Sequence, residues 1–305
     1  MIAEVSLTAS AFEVAWECAG LGEMPIVLYV RPSGFEEQER AEVVRRAWDE
    51  LDRAGLAHRG RLDPGLVGMF EVLATPRRAA DARLALGKAP ASSAGQVAGP
   101  VSRAGPAPRA GPVSQVGPVS QVGPVSQAGR APHAGEVRGM AAANGDSGVL
   151  ARLTGGTLTM RPIFGSSLGR EIVSLLPAHP AGPGSSVSLS RELIEPAARA
   201  AGPSLYGFAE HLTAAGVPGE RARTLVRMIE GTRRRGQFGA AVRDRDGRRR
   251  AAPRAVAFHD TGSGRYVMVD RATADGTLWT TVTPATDGLL ADHVQQLLDT
   301  LAEPS

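Results

Sequence analysis

The sequence of 305 residues is poor in cysteine, lysine and aromatic residues, and each shortage excludes something. Cys18 is the only cysteine, which excludes an internal disulfide framework and a cysteine-built metal site and fits a reducing compartment. Lys88 is the only lysine, so arginine carries the excess of positive charge. Aromatic residues make up only 4% of the chain, so alanine, valine and leucine must fill the core. The net charge of +3 is too small to indicate nucleic-acid binding by itself.

Signals for export, membrane insertion and cofactor binding are also missing. Residues 1–7 have neither a cationic nor an apolar segment of the kind found in Sec signals. The apolar run Met24 to Val30 is far too short to span a bilayer. The six histidines show no metal-binding spacing, and no P-loop or dinucleotide-binding glycine fingerprint occurs. We therefore expect a cytoplasmic protein with no membrane span, no metal, no cofactor and no small-molecule substrate.

The last quarter of the chain has the pattern of a β-meander. Gln237 to Arg243 alternates apolar and polar residues, and the turn Asp246-Gly247 follows it. Three more strand-like runs, bounded by glycine-containing turns, are Arg254 to Asp260, Arg265 to Arg271 and Leu278 to Thr283. From Pro284 we expect a helix that lies on this sheet through the apolar stripe Leu290, Val294, Leu297 and Leu301.

Two separated blocks of the sequence contain distinctive motifs. The C-terminal block contains RRRGQFGAAVRD (233–244), RAVAFHDTGSGRYVM (254–268), Trp279 and VTP (282–284). The N-terminal block contains LTASAFEVAWECAGLGEMPIVLYV (7–30), Glu39-Arg40 and AGLAHRGRLDP (54–64). In this order the two blocks resemble the EspG family of accessory proteins of actinobacterial type VII (ESX) secretion, and the resemblance covers roughly residues 5–88 and 136–301.

This resemblance implies a cytosolic, non-enzymatic chaperone or adaptor for helical secretion substrates. The implied partner is a PPE-like protein, held as a PE/PPE pair before export. The family also implies a quasi-twofold repeat within the sheet, although the sequence shows no internal repetition of its own.

Low-complexity sequence separates the two blocks. From Ala89 to Ala134 the chain is rich in Ala, Gly, Pro, Ser and Val, with the hexad GPVSQV at 111–116 and 117–122 and GPVSQA at 123–128. Regular prolines and few large apolar side chains indicate a disordered insertion with polyproline character. By the resemblance, its position corresponds to a variable loop of the family that can help to hold the substrate. For the hexads themselves we favour a passive linker, because they lack the charged flanks that usually give proline-rich ligands their specificity.

The remaining segments predict a mixture of helices and antiparallel strands. Before the insertion we expect helices at 8–19, 36–54 and from Pro64, a buried strand at 24–30 and a strand at 78–86. After it we expect strands at 136–143, 148–153 and 157–163, and helices at 168–176, 190–200 and 220–229. This order favours a single α+β domain, residues 1–305, with a central and largely antiparallel sheet flanked by helices.

A G-x-S-x-G match supports an alternative interpretation of the chain as a serine hydrolase. Gly165-Ser166-Ser167-Leu168-Gly169 matches G-x-S-x-G between a candidate strand and a candidate helix. His259 or His293 with Asp260 or Asp270 would have to complete a triad. The simpler interpretation makes one serine a helix cap and His259 a structural residue whose neighbour Asp260 binds turn amides.

Two arginine runs, Arg233 to Arg235 and Arg248 to Arg250, flank the first strand of the meander and suggest a basic rim. Arg233, Arg234, Arg235 and Gln237 are our candidate partner-binding residues, because the family resemblance places them at the edge of the sheet surface that meets a helical partner. Nucleic-acid binding is the weaker alternative, since Phe238 is the only aromatic residue nearby. We further expect Cys18 to be a small buried hydrophobe, and Trp279 to face either the closing helix or solvent. On the first helix, Glu13 and Glu17 lie opposite the apolar arc of Phe12 and Trp16, which predicts that both carboxylates face solvent.

Overall fold

The structure is a computed structural model and describes residues 4–87 and 135–302. Its centre is an eleven-stranded sheet in which the strands pair antiparallel, which confirms the predicted α+β class. The strands of this sheet are β1 (Val5–Thr8), β4 (Arg78–Ala85), β5 (Glu136–Asn144), β6 (Ser147–Thr154), β7 (Thr157–Phe164), β8 (Val187–Ser190), β9 (Arg234–Arg243), β10 (Arg249–Ala251), β11 (Val256–Asp260), β12 (Arg265–Ala272) and β13 (Leu278–Pro284). Strands β2 (Ala57–His58) and β3 (Arg61–Leu62) form a separate hairpin.

Eight α-helices flank the sheet in the described residues. They are α1 (Ala9–Cys18), α2 (Glu37–Arg53), α3 (Pro64–Ala74), α4 (Leu168–Val173), α5 (Arg191–Ala201), α6 (Leu205–Ala214), α7 (Gly219–Ile229) and α8 (Asp287–Ala302). Local capping explains where two of them begin. Thr8 accepts a hydrogen bond from the Ala11 N–H, and Asp63 accepts from Gly65 and Leu66 with Pro64 in the first turn.

The order of the strands across the sheet reveals a quasi-twofold repeat. The order β1-β7-β6-β5-β4-β9-β11-β12-β13-β8 has the same connectivity when read from either end. Each half consists of an outer strand, three helices, a four-stranded meander and a closing helix, and the halves join where β4 pairs with β9. The repeat that the family resemblance implied is therefore present in the architecture, although the sequence does not show it.

Both faces of the sheet are covered, but by different helices. On one face α1, α2 and α3 pack against the β1 half and α5, α6 and α7 against the β8 half, forming two separate cores. On the other face α4 and α8 cover the middle of the sheet and form the third core. The first face therefore carries two separate groups of helices, α1 to α3 and α5 to α7, which we call the helical layers. On this face, the strands between these two groups are not covered by helices of the described residues.

Most of the predicted elements occur within a few residues of their expected bounds, and the β-meander is present in full. The predicted strand at 24–30 is wrong. Pro25 precedes a 3-10 helix at Ile26–Leu28, in which Val27 and Leu28 are buried while Ile26 is 70% exposed. The sequence pattern also did not predict β1, β2, β3, β8 and β10, which are short strands, or helix α6. The predicted insertion at 89–134 lies outside the described residues.

Three side chains are placed differently from our expectations. Cys18 is exposed, because it is the last residue of α1 and lies beyond the turns that pack on the core. Glu13 was expected on the solvent side of α1 but is buried, where its carboxylate accepts two hydrogen bonds from Arg40. Helix α8 begins at Asp287 rather than Pro284 and buries Leu298 rather than Leu297.

Candidate partner-binding surface

An open strip of sheet lies between the two helical layers, on the strands nearest the quasi-twofold axis. Cross-strand pairing places Arg83 of β4 beside Gln237 of β9, and Gln237 beside Ala257 of β11. Asp81 pairs with Gly239 one step further along the same face. These side chains are half-buried, whereas the neighbouring strands are covered by helices. The strip is therefore a shallow polar floor between two walls.

The predicted residues occupy one end of this floor. Arg234, Arg235 and Gln237 belong to β9, and Arg233 immediately precedes it. Arg233 and Arg235 are exposed, while Arg234 and Gln237 are half-buried. Since β9 alternates its side chains between faces, Arg235 and Gln237 share the open face, and Arg234 lies on the other. The structure thus separates the four candidates into a pair on the floor and a pair at its edge.

An ion-pair network underlies this end of β9. Arg265 is fully buried, and its guanidinium donates to both carboxylate oxygens of Asp260 at 2.8 and 3.0 Å, and to the Pro177 carbonyl. It also contacts Asp287, the first residue of α8. Arg234 lies 3.7 Å from Asp260, with which it is in register. The network holds Arg234 against the sheet and joins the β11–β12 hairpin to α8.

His259 is buried at the foot of the wall formed by α7. Its Nε2 hydrogen-bonds with the Met228 carbonyl at 2.9 Å, and its ring stacks on Tyr266 at a centroid distance of 5.4 Å. Burial lowers the pKa of His259, although the Met228 hydrogen bond and nearby Asp260 oppose the shift. Neutral His259 therefore donates to Met228 and anchors α7 beside Arg235, its cross-strand neighbour.

Desolvation also affects two charged residues of the floor. Burial raises the pKa of Asp81, with Arg83 and Arg249 opposing the shift. Gly239 makes room for this carboxylate, because a Cβ at residue 239 would lie 2.7 Å from Asp81 Oδ1. Burial lowers the pKa of Arg138, which donates to the Tyr29 carbonyl at 2.9 Å. Charges in this partly desolvated strip would interact more strongly with a polar partner than the same charges in open water.

The opposite wall carries exposed apolar side chains. The 3-10 helix packs against β4 and β5, and beside it Ile26 is 70% and Tyr29 39% exposed. A small pocket of about 140 Å³ lies on the other side of the floor, between β11, β12 and the first residue of α5, lined by Ala257, Met268, Asp270 and Arg191. The surface is thus wide and mixed in character, which suits a protein partner better than a small ligand.

The residues of the hydrolase alternative are not brought together. Ser167 is buried and its hydroxyl donates to the Phe164 carbonyl, in a 3-10 turn before α4. Asp270 accepts from Thr280 and Arg191. Asp260 binds Arg265, not the turn amides that we expected, and Thr261 accepts from the turn amide of Ser263 instead. Ser167, His259, Asp260 and Asp270 thus each have a separate structural partner.

The two arginine runs do not form one rim. Arg249 pairs with Arg243 at the far end of β9, about 30 Å from Arg234 at a rise of about 3.3 Å per residue. Trp279 is 38% exposed and is paired across the sheet with Arg271 of β12 and Ser190 of β8.

Within residues 4–87 and 135–302, no helix is long and apolar enough to cross a membrane. In that same part of the chain no three His, Cys, Asp or Glu side chains are grouped as metal ligands would be.

Comparison with known proteins agrees with the resemblance seen in the sequence. A sequence model of the EspG family matches residues 8–111 and 119–296, so the chain belongs to the EspG family. A comparison with curated protein sequences found no match.

A solved structure shows the same fold. It is the Mycobacterium tuberculosis type VII secretion system chaperone EspG5, determined in complex with the PE25-PPE41 dimer. The two chains superpose with a TM-score of 0.70 over 99% of this chain and 98% of that chain, at 16% sequence identity.

Proposed function

We propose that this protein is a cytosolic chaperone or adaptor of type VII secretion, which binds a helical substrate of the PE/PPE kind and keeps it soluble until export. The observation that carries the proposal is the common fold with EspG5, a chaperone whose structure includes a PE25-PPE41 dimer. Membership of the EspG family supports it. We also propose that the chain acts as a single domain and without catalysis, because partner binding of this kind needs a rigid surface and no reacting group.

The open strip of sheet is the surface that we propose for the partner. It is broad, it lies on the central strands of the sheet, and it combines a polar floor with apolar side chains at one wall. Interfaces of this composition bind through a few buried anchors with polar contacts around them. We propose that the partner contacts this surface with a helix tip that exposes apolar side chains.

Within this surface, Arg233, Arg234, Arg235 and Gln237 are the proposed contacts. Arg235 and Gln237 project from the floor, and Arg233 lies next to the turn that joins β11 to β12, close to Gly262. Arginine guanidinium groups donate to carboxylates and to the free carbonyls at the C-terminal end of a helix. The proposed partner therefore presents a helix end or an acidic side chain to this edge.

The direct test is co-expression of the chain with a PE/PPE pair from the same genome, followed by size-exclusion chromatography. We expect a complex with one copy of each protein. The double variant Arg235→Ala/Gln237→Ala should weaken binding by at least about tenfold, since a polar interface contact is worth on the order of 1–2 kcal/mol. Arg45→Ala/Arg46→Ala, on exposed positions of α2, is the control and should bind normally.

Two results would contradict parts of this proposal. If no PE/PPE pair forms a complex with the unaltered chain, the family likeness describes a fold and not this function. If a complex forms but the Arg235 and Gln237 double variant binds as tightly as the control, the partner contacts a different part of the surface.

A further inference from the structure

Asp81, near the middle of β4, carries a carboxylate that lacks a hydrogen bond. Within residues 4–87 and 135–302, charged neighbours act on it only through space, and no N–H or O–H group donates to either of its oxygens. Two aspartates of the second half of the sheet differ, since Asp260 accepts from Arg265 and Asp270 accepts from Thr280. A desolvated carboxylate is normally hydrogen-bonded, so the missing donor at Asp81 calls for a physical explanation.

The neighbours of Asp81 in the sheet give its carboxylate room without satisfying it. It is in register with Gly239 of β9 and with Met140 of β5. A Cβ at residue 239 would lie 2.7 Å from Asp81 Oδ1, so glycine leaves a gap above β9 beside this oxygen. Met140, on the other side, is apolar and buried. The half-buried carboxylate therefore faces the open strip without a donor from either adjoining strand.

The charges around Asp81 favour an uncharged donor over a cation. Arg83, on the same strand, and Arg249, on β10, both lie close enough to lower its pKa, although burial outweighs them and raises it. With two arginines beside one carboxylate the local charge is already positive, which disfavours the approach of another lysine or arginine. An N–H group without net charge can donate to the carboxylate and meets no such repulsion.

The strip has an acceptor at one end and donors at the other. Gly239, beside Asp81, is separated along β9 from Gln237 by about 7 Å and from Arg235 by about 13 Å at a rise of about 3.3 Å per residue. The axes of two packed helices lie about 8–10 Å apart. The tip of an antiparallel helix pair presents free carbonyls where one helix ends and free N–H groups where the next begins. The polarity and the spacing of the strip match the two ends of such a tip.

We propose that Asp81 accepts hydrogen bonds from the free backbone N–H groups at the start of a partner helix, while Arg235 and Gln237 contact the end of the preceding helix. This inference rests on the proposed function and adds the orientation of the partner. The helix that enters the tip ends over Arg235, and the helix that leaves the tip begins over Asp81. Gly239 leaves the space in which the first turn of the second helix approaches the carboxylate.

The first test measures the affinity for the PE/PPE pair that binds the unaltered chain. Asp81→Ala should weaken binding at least about tenfold at about pH 7.5, because hydrogen bonds to a charged acceptor are among the stronger ones. Asp49→Ala, at an exposed carboxylate of α2, is the matched control and should bind within about twofold of the unaltered chain. Titration calorimetry measures both variants.

A double-mutant cycle locates the donor on the partner. Proline in the first turn of the PPE helix that follows the tip removes one N–H group and is tolerated at that position. We expect this change to weaken binding to the unaltered chain but to add little to the loss in Asp81→Ala, because both changes remove the same hydrogen bond. Losses that simply add would contradict the assignment of the donor to a helix start.

The free chain distinguishes a binding role of Asp81 from a structural one. Because the pKa of Asp81 is raised in the folded state, the unfolded chain loses this proton first as the pH rises, so the charge on Asp81 lowers stability at neutral pH. Asp81→Asn should therefore raise the urea midpoint at about pH 7.5 and change it less at about pH 4. A lowered midpoint at both pH values would assign a structural role to Asp81 and overturn the proposal.

The outcomes separate this inference from the proposed function. If no PE/PPE pair binds the unaltered chain, the proposed function fails and this inference fails with it. If a pair binds and Asp81→Ala binds as tightly as Asp49→Ala, the proposed function stands and only the role of Asp81 is wrong.

Discussion

Few charged side chains are buried in the described residues, and Arg265 is the most completely buried of them. The side chain is completely enclosed, and its partners come from three parts of the chain: the end of β11, the 177–183 segment and the start of α8. A buried guanidinium is tolerated only when its donors are paired, because the cost of leaving water is otherwise uncompensated. Arg265 therefore couples the second meander to its closing helix.

Removing one partner of this network should be costly. We expect Asp260→Asn to lower the free energy of unfolding by about 3–5 kcal/mol, because it leaves Arg265 buried without its main counter-charge. Asp287→Asn, at a carboxylate that is 52% exposed, should cost about 1 kcal/mol or less. Urea unfolding measures both. Equal effects of the two substitutions would show that the buried Arg265–Asp260 ion pair contributes no more to the free energy of unfolding than the exposed Asp287 contact.

The buried histidine predicts how stability depends on pH. Burial lowers the pKa of His259 in the folded state below the value of about 6.5 that the unfolded chain shows. The unfolded chain therefore binds the proton first as the pH falls, so the contribution of His259 is complete above about pH 6.5 and is lost as the pH falls towards the folded pKa. Burial and nearby Arg271 also lower the pKa of His293, which adds to the loss in the same direction.

The corresponding experiment compares urea midpoints at several pH values from about 5 to 8. His259→Gln retains a donor for the Met228 carbonyl and should flatten the loss of stability below about pH 6.5, leaving the His293 contribution. His58→Gln, on an exposed residue of β2, should keep the slope of the unaltered protein. A His259→Gln slope identical to that of the unaltered protein would contradict this origin of the pH dependence.

At the scale of single residues, the sequence predicted whether a side chain is buried or exposed only where the periodicity of its element determines this. Phe238, Ala240 and Val242 are buried as the alternation of β9 indicated. Glu13 and Cys18 were misplaced for a different reason, because their environments depend on Arg40 of a distant helix and on where α1 ends. The local sequence pattern shows neither the contact with Arg40 nor the end of α1. The candidate contacts Arg233, Arg234, Arg235 and Gln237 remain predictions until binding is measured.

At the scale of elements, helix α8 shows how a small error in phase moves a predicted core. The sequence stripe placed Leu297 against the sheet, whereas the helix buries Leu298 completely and leaves Leu297 partly exposed. The helix begins at Asp287 because β13 extends to Pro284, which pairs with Tyr266. Apolar side chains at both positions make the two phases almost equivalent by periodicity alone.

These adjacent leucines provide a matched pair. We expect Leu298→Ala to lower the free energy of unfolding by about 2–5 kcal/mol, through lost burial and the cavity that remains. Leu297→Ala should cost less than half as much, because part of its side chain is already in contact with water. Chemical unfolding of both variants decides between the two helix phases. A larger effect at Leu297 would support the phase that the sequence stripe indicated.

The same scale explains which elements the sequence could not predict. Long periodic helices and glycine-bounded strands were identified, because hydrophobic period and turn chemistry are local properties. Strands β1 and β8 contain four residues each and border helices directly, so their period is too short to recognise. The run from Met24 to Val30 was misassigned because apolar composition does not distinguish a strand from a short buried turn.

At the scale of the whole molecule, the quasi-twofold arrangement makes the β4–β9 pair the structural centre. This pair joins the two meanders over the full length of β4, and the open strip lies across it. The two halves share their connectivity, although the sequence shows no internal repeat. The helical walls differ accordingly, since one presents Ile26 and Tyr29 and the other is anchored by His259 and Met228. A surface on the axis can therefore bind one partner in one orientation.

Residues 88–134 join β4 to β5, whose ends are already paired. Ala85 is in register with Glu136, and the Leu86 N–H donates to the Gly135 carbonyl at 2.9 Å. Replacing 88–134 with a four-residue Gly/Ser linker should therefore preserve the fold and one cooperative unfolding transition. Stability should rise by about 2 kcal/mol at most, because closure entropy varies only with the logarithm of loop length.

The same variant separates the two interpretations of this segment. If residues 88–134 are a passive linker, the shortened chain should bind a PE/PPE pair with unchanged affinity. Because the segment leaves and re-enters the sheet beside Arg235, which pairs with Ala85, a substrate-holding role predicts weaker binding with stability unaffected. Calorimetry of folding and of binding on one sample measures both quantities. Loss of the cooperative transition itself would contradict the view that both halves of the sheet fold as one unit, since the strand pairing on which that view rests does not involve the replaced residues.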